Sequence, residues 1–268
     1  MIIKFMSLSS GSSGNCYYLG TEQYGILIDA GISLRTIRKT LKNVGVELCN
    51  IHGVFVTHDH ADHIKAVGTI GEKFNIPIYT TALVHKGIAH SYRVTQKLSP
   101  LNTRYLEKEK VLNIDDFQIE AFEVPHDGTD NVGYCITINN KVFTFLTDLG
   151  EITPTAKSYI LRANYLIIEA NYDRQMLATG RYPAYLKRRI AGDKGHLCNA
   201  DTAEFLANNY TDKLQYIWLC HLSKDNNNPE IAYDTVKNRL SENNIIVGRD
   251  VQLVALQRTT PSELYIFE

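Results

Sequence analysis

The chain has 268 residues and carries 28 Lys and Arg against 29 Asp and Glu, a formal charge of −1 that excludes a uniformly basic nucleic-acid coat but leaves room for a local basic patch. With 44% hydrophobic and 21% charged residues the composition is that of a globular protein rather than a disordered one, and no apolar run approaches the roughly 18–20 residues that span a bilayer. The opening Met1-Ile-Ile-Lys-Phe-Met has no export pattern, and the five scattered cysteines form neither a disulfide framework nor a C-x-x-C zinc site, so a soluble cytoplasmic chain is expected.

In chain order, Lys4–Ser9, Cys16–Leu19 and Gly25–Asp29 read as strands. The first two are joined by the Gly/Ser loop Ser9–Asn15 and the next two by a turn at Gly20–Tyr24. Ser33 is a helix N-cap candidate, with Leu34, Ile37, Leu41 and Val44 on one face of the helix that follows. Val54–Thr57 is a continuously apolar strand, as expected where both faces of a sheet are covered. A helix from about Asp62 to Phe74 and the strand Ile78–Thr80 come next. Phe117–Val124, Val132–Ile138 and Val142–Thr147 are strands, the last two linked by the hairpin signal Asn139-Asn140. Beyond Asp148, helices at Ala156–Leu161, Ala200–Asn209 and Pro229–Glu242 alternate with strands at Tyr165–Glu169 and Leu214–Cys220, and two C-terminal strands close the chain. Two β-rich, helix-flanked halves with no linker predict one α/β domain over residues 1–268, two sheets face to face with helices outside.

The most specific feature is Thr57-His58-Asp59-His60-Ala61-Asp62-His63, directly after an apolar strand. Three imidazoles and a carboxylate on a strand-to-helix turn suit Zn²⁺, Mn²⁺ or Fe²⁺; a solvated polar loop is the plain alternative. His126, Asp148 and His221 each follow a strand, and together with the run they complete a two-metal set. Ligands at the ends of several strands of a sheet are how a fold gathers distant positions into one cleft.

Asp29, His58-x-His60-x-Asp62-His63, His126, Asp148 and His221, in that order, resemble the five motifs of the metallo-β-lactamase fold across essentially the whole chain. The resemblance implies a four-layer αβ/βα sandwich. It also implies a first metal on His58, His60 and His126, a second on Asp62, His63 and His221, Asp148 bridging both, and Asp29 orienting the ligands from behind. Ser7–Asn15, Asp148-Leu-Gly150, Glu169–Asp173, Gly195–Asn199 and His221–Asn227 narrow the likeness to the YycJ/WalJ group, bacterial cytoplasmic proteins regarded as DNA exonucleases. The chain departs from that group at Tyr172, where it usually has His, and at Cys198, where it usually has Ser.

Two bridged ions would activate water and clamp a phosphodiester for in-line attack, with Asp62 and Asp148 orienting the nucleophile. His196, just ahead of a helix cap expected at Asn199, is the candidate to contact a phosphate or protonate the leaving oxygen. From Arg174 to Lys194 the basic residues Arg174, Arg181, Lys187, Arg188, Arg189 and Lys194 face a single acid, Asp193, with Tyr182 and Tyr185 among them. Such a stretch fits a phosphate-backbone footprint, and a solvated helix face is the alternative. The Gly/Ser loop could cradle a phosphate, and a tight hairpin turn explains it equally well.

The function expected is therefore a two-metal phosphodiesterase acting on nucleic acid, a DNA exonuclease with 5′-to-3′ polarity on duplex DNA by resemblance. A small-molecule phosphodiesterase of the same fold and a non-catalytic nucleic-acid-binding protein are the alternatives. Asp148 and His221 lie 73 positions apart, too close for the cap domain that related RNA nucleases insert there.

Overall fold

A computed structural model describes residues 1–268, which divide into two compact units. The first takes Met1–Ile114, Gly128–Asn131 and Gln257–Glu268; the second takes Asp115–Asp127 and Val132–Leu256. No helix is long and apolar enough to cross a membrane.

The first unit contains β1 (Ile3–Ser9), β2 (Cys16–Gly20), β3 (Gly25–Ile28), β4 (Ile51–Phe55), β5 (Ile78–Thr80), β6 (Thr103–Tyr105) and β7 (Val111–Ile114). The C-terminal strand Tyr265–Phe267 pairs with the outer side of β1, and from there the sheet runs in sequence order to β6. Pairing is antiparallel through β3 and parallel from β3 onward. Ser33 caps the helix Leu34–Asn43 by accepting from the Thr36 amide at 3.1 Å, and Ile37 and Leu41 pack on Leu27, Val54 and Val56 within one apolar cluster. Because β3 and β4 pair in parallel, Asp29 and Thr57 leave the sheet side by side, with the Asp29 amide donating to the Phe55 carbonyl at 2.8 Å.

The expected helix Asp62–Phe74 is in fact two, Ala61–Ile64 and Val67–Phe74. Tertiary bonds cause the break: the Ala66 amide donates to the Ala30 carbonyl at 2.8 Å, and the Ala30 amide donates to the His63 carbonyl at 2.9 Å. These bonds tie the turn to the loop after β3 in place of a helical ladder.

The second unit builds its own sheet from β8 (Phe117–Glu123), β9 (Val132–Ile138), β10 (Lys141–Leu146), β11 (Tyr165–Glu169), β12 (Tyr216–Cys220) and β13 (Gln252–Ala255), in spatial order from β13 to β8. Asn139 and Asn140 both adopt positive φ (47° and 61°), as the two-residue turn between β9 and β10 requires. β10 to β13 are parallel, with Leu146 opposite Ile168 and Glu169 opposite Cys220, so Asp148, Glu169 and His221 emerge at one edge. β8, two antiparallel steps from β10, delivers His126 to the same edge. The helix Pro229–Glu242 has the predicted bounds, with Asn228 accepting from the Ile231 amide at 2.8 Å, and its Ala232, Val236 and Leu240 join a cluster with Leu166, Ile168 and Leu219.

Tyr18, buried in β2, has its phenol pushed up to about 12 by desolvation. An acid that ionises near pH 10 when unfolded but only near 12 when folded leaves stability intact below pH 10 and erodes it as pH rises between those values. We expect Tyr18→Phe to flatten the alkaline loss of stability by about 1.4 kcal/mol per pH unit, measured by urea unfolding from pH 9.5 to 11.5. Equal slopes in both proteins would contradict this.

Candidate metal centre

In the first unit the apolar strand β4 delivers Thr57 to His63 into a loop whose side chains converge. The rings of His58 and His60 lie 4.6 Å apart and those of His58 and His63 4.1 Å apart. Asp62 Oδ2 stands 3.6 Å from His63 Nε2. Behind them Asp29, at φ 58° and fully buried, accepts from His63 Nδ1 at 2.7 Å and from the Thr57 amide and hydroxyl. Burial raises the Asp29 carboxyl, against the pull of His63 and of the Thr57 bonds. With the Thr57 hydroxyl spent on Asp29, His58 Nδ1 donates to Thr57 Oγ1 at 3.0 Å.

The Gly/Ser loop serves this arrangement, and the hairpin reading is the one the geometry favours. Asn15 holds the loop by bonding both backbone groups of Gly11, and its Nδ2 donates to His63 Nε2 at 2.9 Å. Its amide donates to the Asp62 carbonyl at 2.7 Å. That carbonyl passes so close to Gly31 that any Cβ there would overlap it. We expect Gly31→Ala to cost about 3 kcal/mol, a fall of roughly 5–10 °C in Tm for a chain of this size. An unchanged Tm on calorimetry would contradict the close approach.

The second unit holds its own cluster of predicted residues, together with Glu169, which is not among the predicted site residues. Asp148, Glu169, His196 and His221 present ligand atoms within 4.8 Å of one another. Glu169, at 0% exposure, organises the group. Its Oε2 accepts from the Leu149 and Leu197 amides, both at 3.1 Å, and its Oε1 accepts from His196 Nδ1 at 2.7 Å and His221 Nδ1 at 2.9 Å. Burial opposes the Glu169 charge, and the two imidazoles hold the carboxyl below its usual range. Burial alone would depress His196; the Glu169 carboxylate outweighs it and leaves that imidazole raised. His126 donates from Nδ1 to the Gly195 carbonyl at 2.8 Å, with burial lowering its pKa against the pull of Asp148. Asp148 Oδ1 lies 3.0 Å from His221 Nδ1 and 3.7 Å from His126 Nε2. His221 sits at φ 52°, in the left-handed region that few non-glycine residues occupy.

The donor set fits divalent metals. In His58, His63, His126 and His221, Nδ1 is engaged by a hydroxyl, carboxylate or carbonyl, which sets the tautomer and leaves Nε2 as the ligating nitrogen. His63 Nε2 already accepts a hydrogen bond, from Asn15, with the lone pair a metal would take. Buried imidazoles and carboxylates in these numbers suit Zn²⁺, Mn²⁺ or Fe²⁺.

The basic stretch is less exposed in charge than its sequence suggests. It forms two short helices, Arg174–Thr179 and Ala184–Ile190. Arg174 pairs with Asp201, Arg189 with Asp127, and Lys187 donates to the Ala178 carbonyl at 2.6 Å, while Arg181, Arg188 and Lys194 stay exposed. The cap ahead of Asn199–Asn208 is Cys198, whose sulfur accepts from the Asp201 amide at 3.3 Å, not Asn199 as expected from sequence. Asn199 is buried and bonds Asn227 instead. Tyr172, beside Cys198, is buried with its phenol pushed up to about 12 by desolvation, so it stays protonated.

Residues 24–217 match the family described as the β-lactamase superfamily domain. Over 265 residues the chain is 33% identical to exodeoxyribonuclease YycJ of Bacillus anthracis, covering 98% of this chain and 99% of that protein. It is 33% identical over 261 residues to exodeoxyribonuclease WalJ of Streptococcus pneumoniae serotype 2, covering 97% of each. Among solved structures, the metallo-β-lactamase fold protein YhfI of Bacillus subtilis is similar at a TM-score of 0.70 and 14% identity, over 99% of both chains. The chain belongs to the β-lactamase superfamily, and the α/β metallo-β-lactamase sandwich expected from its motifs is the fold these comparisons show. Within that family it stands with the YycJ/WalJ proteins and is a metal-dependent hydrolase.

Proposed function

We propose that the chain is a DNA exonuclease that hydrolyses phosphodiester bonds with two divalent metal ions. The observation that carries this is its near full-length similarity to two exodeoxyribonucleases. In this reading, which follows the family resemblance, His58, His60 and His126 would hold one ion and Asp62, His63 and His221 the other, with Asp148 shared between them. When bound, such ions lower the pKa of water and neutralise charge on a transferring phosphoryl group.

The chain's own residues do the rest. Asp29 and the Thr57 hydroxyl keep His63 and His58 in the ligating tautomer. Glu169 does the same for His221 and, by accepting from His196 Nδ1, favours the charged imidazolium there, whose Nε2 proton goes to the leaving oxygen. Arg181, Arg188 and Lys194 supply phosphate-backbone contacts, and the bonds of Arg174, Lys187 and Arg189 fix the two short helices that carry or flank them.

The test is digestion of linear duplex DNA labelled at the 5′ or the 3′ end, beside a covalently closed circle. Stepwise loss of the 5′ label from linear DNA, with the circle intact, is expected. Intact linear DNA alongside cleavage of bis(p-nitrophenyl) phosphate would overturn the nuclease reading in favour of a small-molecule phosphodiesterase.

A further inference from the structure

The loop from Asp59 to Asp62 is flanked by two cavities, both built wholly within the first unit. One, of about 490 Å³, has Asp62 in its wall together with Lys65, Arg93, Ser12 and Ser13. Asp62 is the only acid lining it. The other, of about 570 Å³, has Asp59 in its wall together with Lys86 and His90. Asp59 already accepts from the Thr129 amide at 2.9 Å and from the Thr129 hydroxyl. Tyr92 lines both cavities and is 79% exposed, an unusual setting for so large a ring, with the Arg93 guanidinium 4.9 Å from its centroid.

Two cations and the hydroxyls of Ser12, Ser13 and Thr95 around one space, with an aromatic face at its rim, match the chemistry of a nucleotide: phosphate in the cationic pocket, base on the ring. A lone carboxylate in the wall would oppose an anion, unless that carboxylate is engaged by a metal, as the proposed function has Asp62. We propose that the Lys65–Arg93 cavity holds a phosphate of the substrate strand beside the scissile bond, and that Tyr92 is the platform on which the adjoining base stacks. This rests on the nuclease reading above. Ser12 and Ser13 then have a use: they are exposed hydroxyls at the tip of a loop whose Asn15 end is committed to His63.

The experiment compares wild type, the double variant Lys65→Ala/Arg93→Ala, Tyr92→Ala, Tyr92→Phe, and a control, Lys39→Ala/Lys42→Ala, on the basic helix Leu34–Asn43. Steady-state rates and fluorescence anisotropy are read on duplexes with a 5′-phosphate or a 5′-hydroxyl end, from 50 to 200 mM salt. The double variant is expected to raise KM roughly ten- to thirtyfold with kcat held within about threefold. It should also flatten the plot of log affinity against log salt by about one, the contribution of the single phosphate that the two cations share. Tyr92→Ala should weaken binding about tenfold, with Tyr92→Phe restoring it because the ring face remains. Loss of discrimination between the two ends would identify a terminal phosphomonoester; equal weakening on both would identify an internal phosphodiester, and either supports the cavity. An unchanged salt slope and KM in the double variant, or changes as large in the control, would overturn it. If wild type itself leaves DNA intact, the nuclease reading fails first, which separates that failure from failure of the cavity.

Discussion

Asp148→Ala is expected to lower turnover by about four orders of magnitude, roughly 5.5 kcal/mol of transition-state stabilisation at 1.36 kcal/mol per decade. Asp148 is buried at the edge where β10 ends, 3.0 Å from His221 Nδ1 and 3.7 Å from His126 Nε2. Among the proposed ligands it alone is assigned to both ions, so its removal disturbs both where loss of one imidazole disturbs one. The fold should survive, because its neighbours on the sheet are secured elsewhere: the Leu149 amide is held by Glu169, and the Gly150 amide donates to the Pro125 carbonyl at 2.8 Å. A wild-type circular dichroism spectrum with activity lost is the predicted pair of results. Retention of more than about a hundredth of the activity would remove Asp148 from its bridging role.

Glu169→Gln separates two jobs of one side chain. The Oε2 atom accepts from two backbone amides, a task that a glutamine carbonyl oxygen performs equally well. The Oε1 atom accepts from two imidazole N–H groups, and there glutamine would present an NH₂ group to two donors. The expectation is a stability within about 1–2 kcal/mol of wild type, with metal affinity or activity down about 10–100-fold. Glu169→Ala should add the loss of the two backbone bonds and unfold earlier. If Glu169→Gln retained full activity and metal affinity, the carboxylate would be a structural tie and nothing more.

What the sequence discloses and what it conceals differ by whether the cause is local. The helix Pro229–Glu242, the turn at Asn139-Asn140 and the capping of Leu34–Asn43 rest on neighbours in sequence, and their bounds or signals are legible. The candidate ligands stand out in the sequence because the run His58–His63 follows the apolar strand Ile51–Phe55, while His126, Asp148 and His221 each follow a strand of the second sheet. The break at Lys65–Ala66 is not, since the bonds that cause it come from Ala30. The pairing of Arg174 and Arg189 hides for the same reason: their partners, Asp201 and Asp127, are 27 and 62 positions away. Glu169 left a readable sign, a carboxylate closing the apolar strand Tyr165–Glu169; a buried acid in such a place needs donors, and here it has four. Asn15 gave a weaker sign, since nothing in a Gly/Ser loop shows that its last residue reaches an imidazole 48 positions on.

The most direct test of the central claim counts metals and activity together. Protein stripped by chelation is titrated with Mn²⁺ or Zn²⁺, and bound metal by mass spectrometry is read beside cleavage of linear duplex DNA. No cleavage by the stripped protein and full recovery at about two equivalents bound are expected, with Asp148→Ala failing to recover at any loading. Cleavage that persists in the stripped protein, or recovery complete at one equivalent, would contradict a two-metal hydrolase built on these seven ligands.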